Sequence, residues 1–270
     1  MKKLFALLLC LITSVMLLAS CGGESKSPKE LVDEAFTGLE ALDAYELDMA
    51  ITMEVAMDME GTSMTYSIPM VIKMAAKDLK TETPKILMDM TITADGETES
   101  AIAYIEGDWI YMSMEDDGYK VPLSEIDDMG AMTDYSKQLE DLLVDLPEAI
   151  YENIEASKNE DGSKTIALSL SAEQFETLYA AIASSLGESM GMFDEGADVT
   201  FKPATLSVTV KDGCVSVYEL DFALDITMDM YGESMTMDFS CKYKIDVKKT
   251  SGVTVTPPTG YESFEEIPMY

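Results

Sequence analysis

Two near copies, DMEGTSMTY from Asp58 to Tyr66 and DMYGESMTM from Asp229 to Met237, set methionines on both sides of a glycine-containing polar break. Thioether sulfur is a soft donor that selects Cu(I), so the repeated Met-x-Met pairs raise the question of metal binding. They recur along one segment after another as core residues would, however, and the chain has no histidine. The same absence removes the Ser-His-Asp triad, the Cys-His dyad and histidine-held zinc. With 51 acidic residues, chance carboxylate pairs are unavoidable, but none stands at an identifiable motif. No loop alternates oxygen ligands around a fixed glycine as a calcium-binding hand does. We expect no catalytic residue, no metal site and no cofactor, and hence no enzyme.

The thiol whose surroundings specify chemistry is Cys21. Lys2 and Lys3 precede an apolar run from Leu4 to Leu18. The run is shorter than the roughly 20 residues of a spanning helix and suits a signal peptide. Leu18-Ala19-Ser20-Cys21 resembles the lipobox of bacterial lipoproteins. That resemblance implies cleavage between Ser20 and Cys21 and a diacylglyceryl group on the Cys21 sulfur. Residues 1–20 are then a lipoprotein signal peptide, and residues 21–27 the lipidated cysteine and a short tether. Two acyl chains anchor stably where one is marginal, which places the protein on the extracytoplasmic face of the cell membrane.

Loss of residues 1–20 removes two lysines and no acids, taking the net charge from −33 to −35. A field of that sign repels nucleic acid, so no nucleic-acid partner is expected. No Pro- or Ser-rich linker divides the rest, and residues 28–270 are expected to form a single domain and a monomer.

From Tyr45 to Met59 the odd positions are apolar and the even ones mostly polar or small, the period-2 pattern of a half-buried strand. After Gly61 the apolar set is Met64, Tyr66, Ile68, Met70, Ile72 and Met74. A Gly61-Thr62 turn with glycine first predicts Met59 opposite Met64 and Met53 opposite Met70. A Gly232-Glu233 turn likewise predicts Met230 opposite Met235 and Leu224 opposite Cys241. Cys214 then falls opposite about Ser251, roughly 30 Å along the strand from Cys241, against a limit of about 7 Å for a bridge. With Cys10 lost in the signal and Cys21 lipidated, Cys214 and Cys241 are expected as free, inward-facing thiols with no disulfide.

Further strands are expected at Ile86 to Ile92 before Asp95-Gly96, at Thr98 to Ile105, and at Trp109 to Met114 before Asp117-Gly118. Others are expected at Ile150 to Ala156, Lys164 to Leu170 and Val199 to Val210. Trp109 alternates onto the face opposite Ile110 and Met112, as a rim residue or a partner contact. Three helical stripes interrupt the strands. Ser27-Pro28-Lys29-Glu30 caps one bearing Leu31, Ala35, Leu39 and Leu42. Tyr135, Leu139, Leu142, Leu143 and Leu146 form a second. Ser171 caps a third, bearing Phe175, Leu178, Tyr179, Ile182 and Leu186.

Strands of about fifteen residues far exceed the usual five or six, and a sheet that long coils. The expected fold class is mainly β with an α lid: a long curved antiparallel sheet, an open half-barrel of about 10–11 strands, with about three helices over the concave face. The lipobox, the capped N-terminal helix entering a long hairpin, the middle stretch AYIEGDWIYMSMEDDGYKV and the late hairpin before a Pro-containing tail together resemble the LolA/LppX-type lipoproteins. The likeness is nearest to uncharacterised Gram-positive members of that superfamily. It implies a half-barrel whose cavity holds acyl chains, and a role as lipid carrier or envelope sensor.

Two readings of the methionine face remain open. One is a filled core in a ligand-free envelope structural or protein-interaction module, since methionine packs irregular gaps well. The other is a pliable cavity for a lipid or other apolar ligand. There a buried chain of about sixteen carbons gains on the order of 10 kcal/mol before binding costs. The candidate lining residues are Met49, Met53, Met57, Met70, Met74, Met88, Met90, Met112, Ile226, Met228, Met237 and Phe239.

Overall fold

The computed structural model describes residues 26–267 apart from 60–61, 95, 115–116, 126–150, 152–153, 155, 186–197 and 231–232. Helix α1 (Pro28–Glu40) leads into two 16-residue strands, β1 (Ala44–Met59) and β2 (Thr62–Lys77). Next come β3 (Lys85–Ala94), β4 (Glu97–Glu106), β5 (Trp109–Met114) and β6 (Asp117–Pro122). After a short β7 (Ser157–Lys158) follow β8 (Lys164–Leu170), α2 (Ala172–Ser185), β9 (Asp198–Phe201) and β10 (Ala204–Lys211). The chain ends with the 17-residue strands β11 (Cys214–Met230) and β12 (Glu233–Lys249), then β13 (Glu265–Glu266).

The thirteen strands among the described residues join one sheet in the order β13-β6-β5-β4-β3-β2-β1-β12-β11-β10-β8-β7, with β9 pairing β11 beyond β10. The sheet is curved and does not close on itself. Its centre is the seam between the first and last long hairpins, where β1 and β12 run antiparallel from Glu46 opposite Lys249 to Asp58 opposite Thr236. The expected 10–11 strands are exceeded for local reasons. Pro203 lacks a ladder N–H, so the expected Val199 to Val210 strand divides into β9 and β10. Most of the strand expected at Ile150 to Ala156 lies outside the described residues; the Ile154 N–H donates to the Tyr151 carbonyl, and described pairing starts at Ser157. The sheet is also not wholly antiparallel, because β13 lies parallel to β6.

Both long hairpins have the expected faces and a different register. Met59 pairs with Thr62, Met57 with Met64 and Met53 with Ile68. Met230 pairs with Glu233, Met228 with Met235 and Leu224 with Phe239. Each connection is thus Glu60-Gly61 or Tyr231-Gly232, with glycine second, and the register moves by two from the expected pairs. A shift of two keeps every side chain on its face, so apolar alternation fits either register equally well. Asp117-Gly118 is not a turn either: it begins β6, with Met114 opposite Asp117.

Two α-helices lie among the described residues, not three; the stripe from Tyr135 to Leu146 falls outside them. In α1 the Ser27 hydroxyl accepts from the Glu30 N–H, and the Glu30 carboxylate accepts from the Ser27 N–H at 2.7 Å. In α2 the Ser171 hydroxyl accepts from the Gln174 N–H, and the Gln174 carbonyl oxygen accepts from the Ser171 N–H. These reciprocal caps satisfy otherwise unpaired helix-start donors. Helix α1 buries Leu31, Val32, Ala35, Phe36 and Leu39 and packs on β10 and β11. The approach requires a glycine, since a Cβ on Gly38 would lie 2.1 Å from the Gly213 carbonyl oxygen. Among the described residues no helix is long and apolar enough to cross a membrane.

Candidate functional site: the methionine face

Register places the apolar residues of the central strands on one inner face. Met49 stands opposite Ile72 and Ile245, and Met57 opposite Met64 and Met237. Met70 pairs with Ile92, Ile72 with Met90 and Met74 with Met88. The row continues from Met88 through Ala103 to Met112. All twelve candidate lining residues share this face.

Burial divides them along the strands. At the base, away from the hairpin tips, Met49, Met74 and Met88 are buried and belong to the core with Leu47, Ile86 and Ile245. The Tyr45 hydroxyl donates to the Met74 sulfur at 3.7 Å, and burial pushes its pKa above the ordinary tyrosine value. Toward the hairpin tips the same face opens. Met53, Met57, Met70, Met90, Met112, Met228 and Met237 are half-buried. Beyond them Met64 and Tyr66 are each 36% exposed and Met114 47%.

One side of the face is walled by aromatic rings. Phe175 of α2 lies 4.9 Å from Phe222 and 5.8 Å from Phe201, centroid to centroid, and Phe222 lies 6.0 Å from Phe239. This wall buries the candidates Ile226 and Phe239. The half-buried zone also includes Ile51, Val55, Ile68, Ile72 and Tyr243, omitted from the candidate set although the same alternation marks them. Cys214 and Cys241 are free thiols. Cys241 lies opposite Phe222, eight residues along β11 from Cys214. Burial pushes its thiol up to about 11. Ser20 and Cys21 lie outside the described residues.

The outer face holds a second cluster. Tyr104, 1% exposed, and Tyr111 point away from the methionine face and pack against Tyr261 of the C-terminal segment at 5.2 and 4.9 Å. The Tyr261 hydroxyl donates to Glu106 at 3.0 Å, and Lys85 forms an ion pair with the same carboxylate. The Trp109 ring carries the Lys120 ammonium at 4.6 Å, so this outward tryptophan has an intramolecular partner. The signal for this cluster was a run of outward aromatics where other strands carry acids. Among the described residues no group of three or more acidic or cysteine side chains could hold a metal ion.

The sheet is long and open, and residues of both described helices join the buried apolar core on its inner face. The chain belongs to the family described as a family of unknown function (DUF6612), which it matches over residues 27–253. It is similar to the crystal structure of LprF from Mycobacterium bovis, at 12% identity and a TM-score of 0.45, covering 88% of this chain and 100% of that one. It is also similar to the LolA superfamily protein NE2245 from Nitrosomonas europaea, at 10% identity and a TM-score of 0.21, covering 84% and 96%. No curated protein matches the chain.

Proposed function

We propose that the protein is an extracytoplasmic lipoprotein, anchored through Cys21, whose inner face binds a lipid or other apolar ligand as a carrier or sensor. The observation that carries this reading is the half-buried zone around Met53, Met57 and Met70. A filled core buries its side chains completely, as the base of this sheet does. Here a continuous apolar surface continues past the core and remains within reach of solvent. Flexible thioether side chains suit such a surface, because they repack around ligands of different shape.

Native mass spectrometry of protein purified without detergent tests the ligand. A bound mass of lipid size, lost on denaturation and absent from a Met57→Lys variant, is the expected result. A bare protein mass that persists after incubation with membrane extract would sink the proposal. The anchor is tested separately: Cys21→Ser should move the protein from the membrane fraction to the soluble fraction, and unchanged membrane retention would overturn it.

A further inference from the structure

The C-terminal segment lies on the sheet as a peptide ligand lies in a groove. The Tyr261 ring stands edge-on to Tyr104 and Tyr111, and its hydroxyl donates to Glu106. Three residues on, the Phe264 ring lies over Gly118, where any side chain would collide with it. β13 then adds to the edge of β6, with Glu265 opposite Tyr119 and Glu266 opposite Lys120. The Ile267 N–H donates to the Lys120 carbonyl at 3.2 Å. Side-chain pockets joined to strand addition are how an extended peptide is recognised at a sheet edge.

Two further observations set this segment apart from the domain it covers. The family match ends at residue 253, so the shared domain does not include it. Residues 250–257, which follow β12, make no hydrogen bond with another described residue, and Val255 is the one buried side chain between 250 and 260. Gly252 and Gly260 hold φ of +66° and +75° on either side of Pro257-Pro258. The glycines can absorb a change of direction, and the prolines keep the arm between them extended. Residues 250–260 can span up to about 36 Å, whereas the four strand spacings from β12 to β4 take about 19 Å. The arm has length to spare.

We propose that the outer face of β4–β6 is a self-association site, which takes residues 261–267 of a second copy in place of the chain's own. With the segment in cis the chain is a monomer; exchanged, the segment joins two chains. Every groove contact named above forms as well between chains as within one, so exchange loses none of them. Release without replacement would bare Tyr104, now 1% exposed, so the groove needs an occupant, and a second copy carries one with the same Tyr-x-x-Phe spacing. A tethered segment has an effective concentration of about millimolar. Exchange therefore shows where copies are crowded, or where the resident segment is disabled.

Two variants of the full chain test this. Tyr261→Ala with Phe264→Ala empties the groove, and Gly118→Val closes it while leaving the segment free. Each alone should sediment as a monomer. Mixed, they should form a one-to-one complex with a Kd below about 1 mM, weakened at least about tenfold when Glu106→Gln is added to the emptied variant. A mixture that stays monomeric overturns the proposal, as does a complex indifferent to Glu106→Gln. A synthetic peptide of residues 259–267 that binds the emptied variant, where the second variant does not, would show a groove closed to another copy and overturns it too. Should a variant fail to fold, the unaltered chain decides. Dimers formed on concentrating it to about 1 mM should be broken by excess of that peptide; dimers that persist, or none at all, refute the exchange.

Discussion

The Phe264 ring occupies the space that a side chain on Gly118 would need: a Cβ there would meet the ring at 2.4 Å. The C-terminal segment is thereby pressed onto the outer face of β4–β6, with Tyr261 over Tyr104 and Tyr111. Gly118→Ala should cost about 1–3 kcal/mol through overpacking and speed amide exchange at residues 265–267. The added Phe264→Ala change should cost less in the Gly118→Ala background than alone. Urea unfolding of both singles and the double variant checks this, and strict additivity would refute it.

Gly38 is the converse case, a glycine in a helix interior. Alanine there would gain about 1 kcal/mol of helix propensity, but its Cβ would lie 2.1 Å from a backbone oxygen of the β10–β11 turn. Backbone has no rotamer to yield, so Gly38→Ala is expected to destabilise despite the better propensity. A raised melting temperature would contradict the packing of α1 described above.

Glu106 makes stability depend on pH. The Lys85 ammonium, followed by the Tyr261 and Tyr104 hydroxyls, outweighs desolvation and holds its pKa below the ordinary 4.5. A carboxyl whose folded pKa is depressed contributes fully above its unfolded value and loses that contribution as pH falls through the folded one. Wild type should therefore exceed Glu106→Gln in stability near neutral pH, and the difference should shrink as the pH falls below the ordinary 4.5 and through the depressed folded value. Chemical unfolding of both proteins across that range decides it; a difference that grows on acidification would reverse the sign.

Met49 and Met57 lie on one strand and one face, with Met49 only 4% exposed and Met57 half-buried. Met49→Ala should cost about 2–5 kcal/mol as a core truncation. Met57→Ala should cost about 1 kcal/mol or less and yet weaken binding of an apolar probe. Equal losses of stability at the two positions would show that the outer half of the face is ordinary core.

The faces of the strands were legible because period-2 alternation reports which side is wet. The register was not, since Met53 opposite Met70 and Met53 opposite Ile68 bury the same side chains. Which of two neighbouring polar residues joins the glycine in each turn left no hydrophobic trace. Both helix caps were readable because Ser27–Glu30 and Ser171–Gln174 are local interactions. Gly118 misled for a physical reason: a glycine can serve a turn or a close approach, and Phe264 lies 146 residues away in sequence. The division of the methionines into core and open surface was equally hidden, since Met49 and Met57 alternate identically along β1 and differ only in burial.

The pairing of β1 with β12 also has a meaning in time. Lys249 bonds Glu46 across 203 positions of chain, and contacts of such separation close slowly. As the chain emerges from its N-terminus, β1 pairs early with β2 but keeps its other edge bare until β12 has been made. An unpaired edge beside a row of methionines invites pairing with a second chain. The two halves of the sheet can each form by neighbouring hairpins, and the central seam is the step that joins them. A chain that stops before β12 is left with that edge permanently open, so premature termination yields a species prone to association.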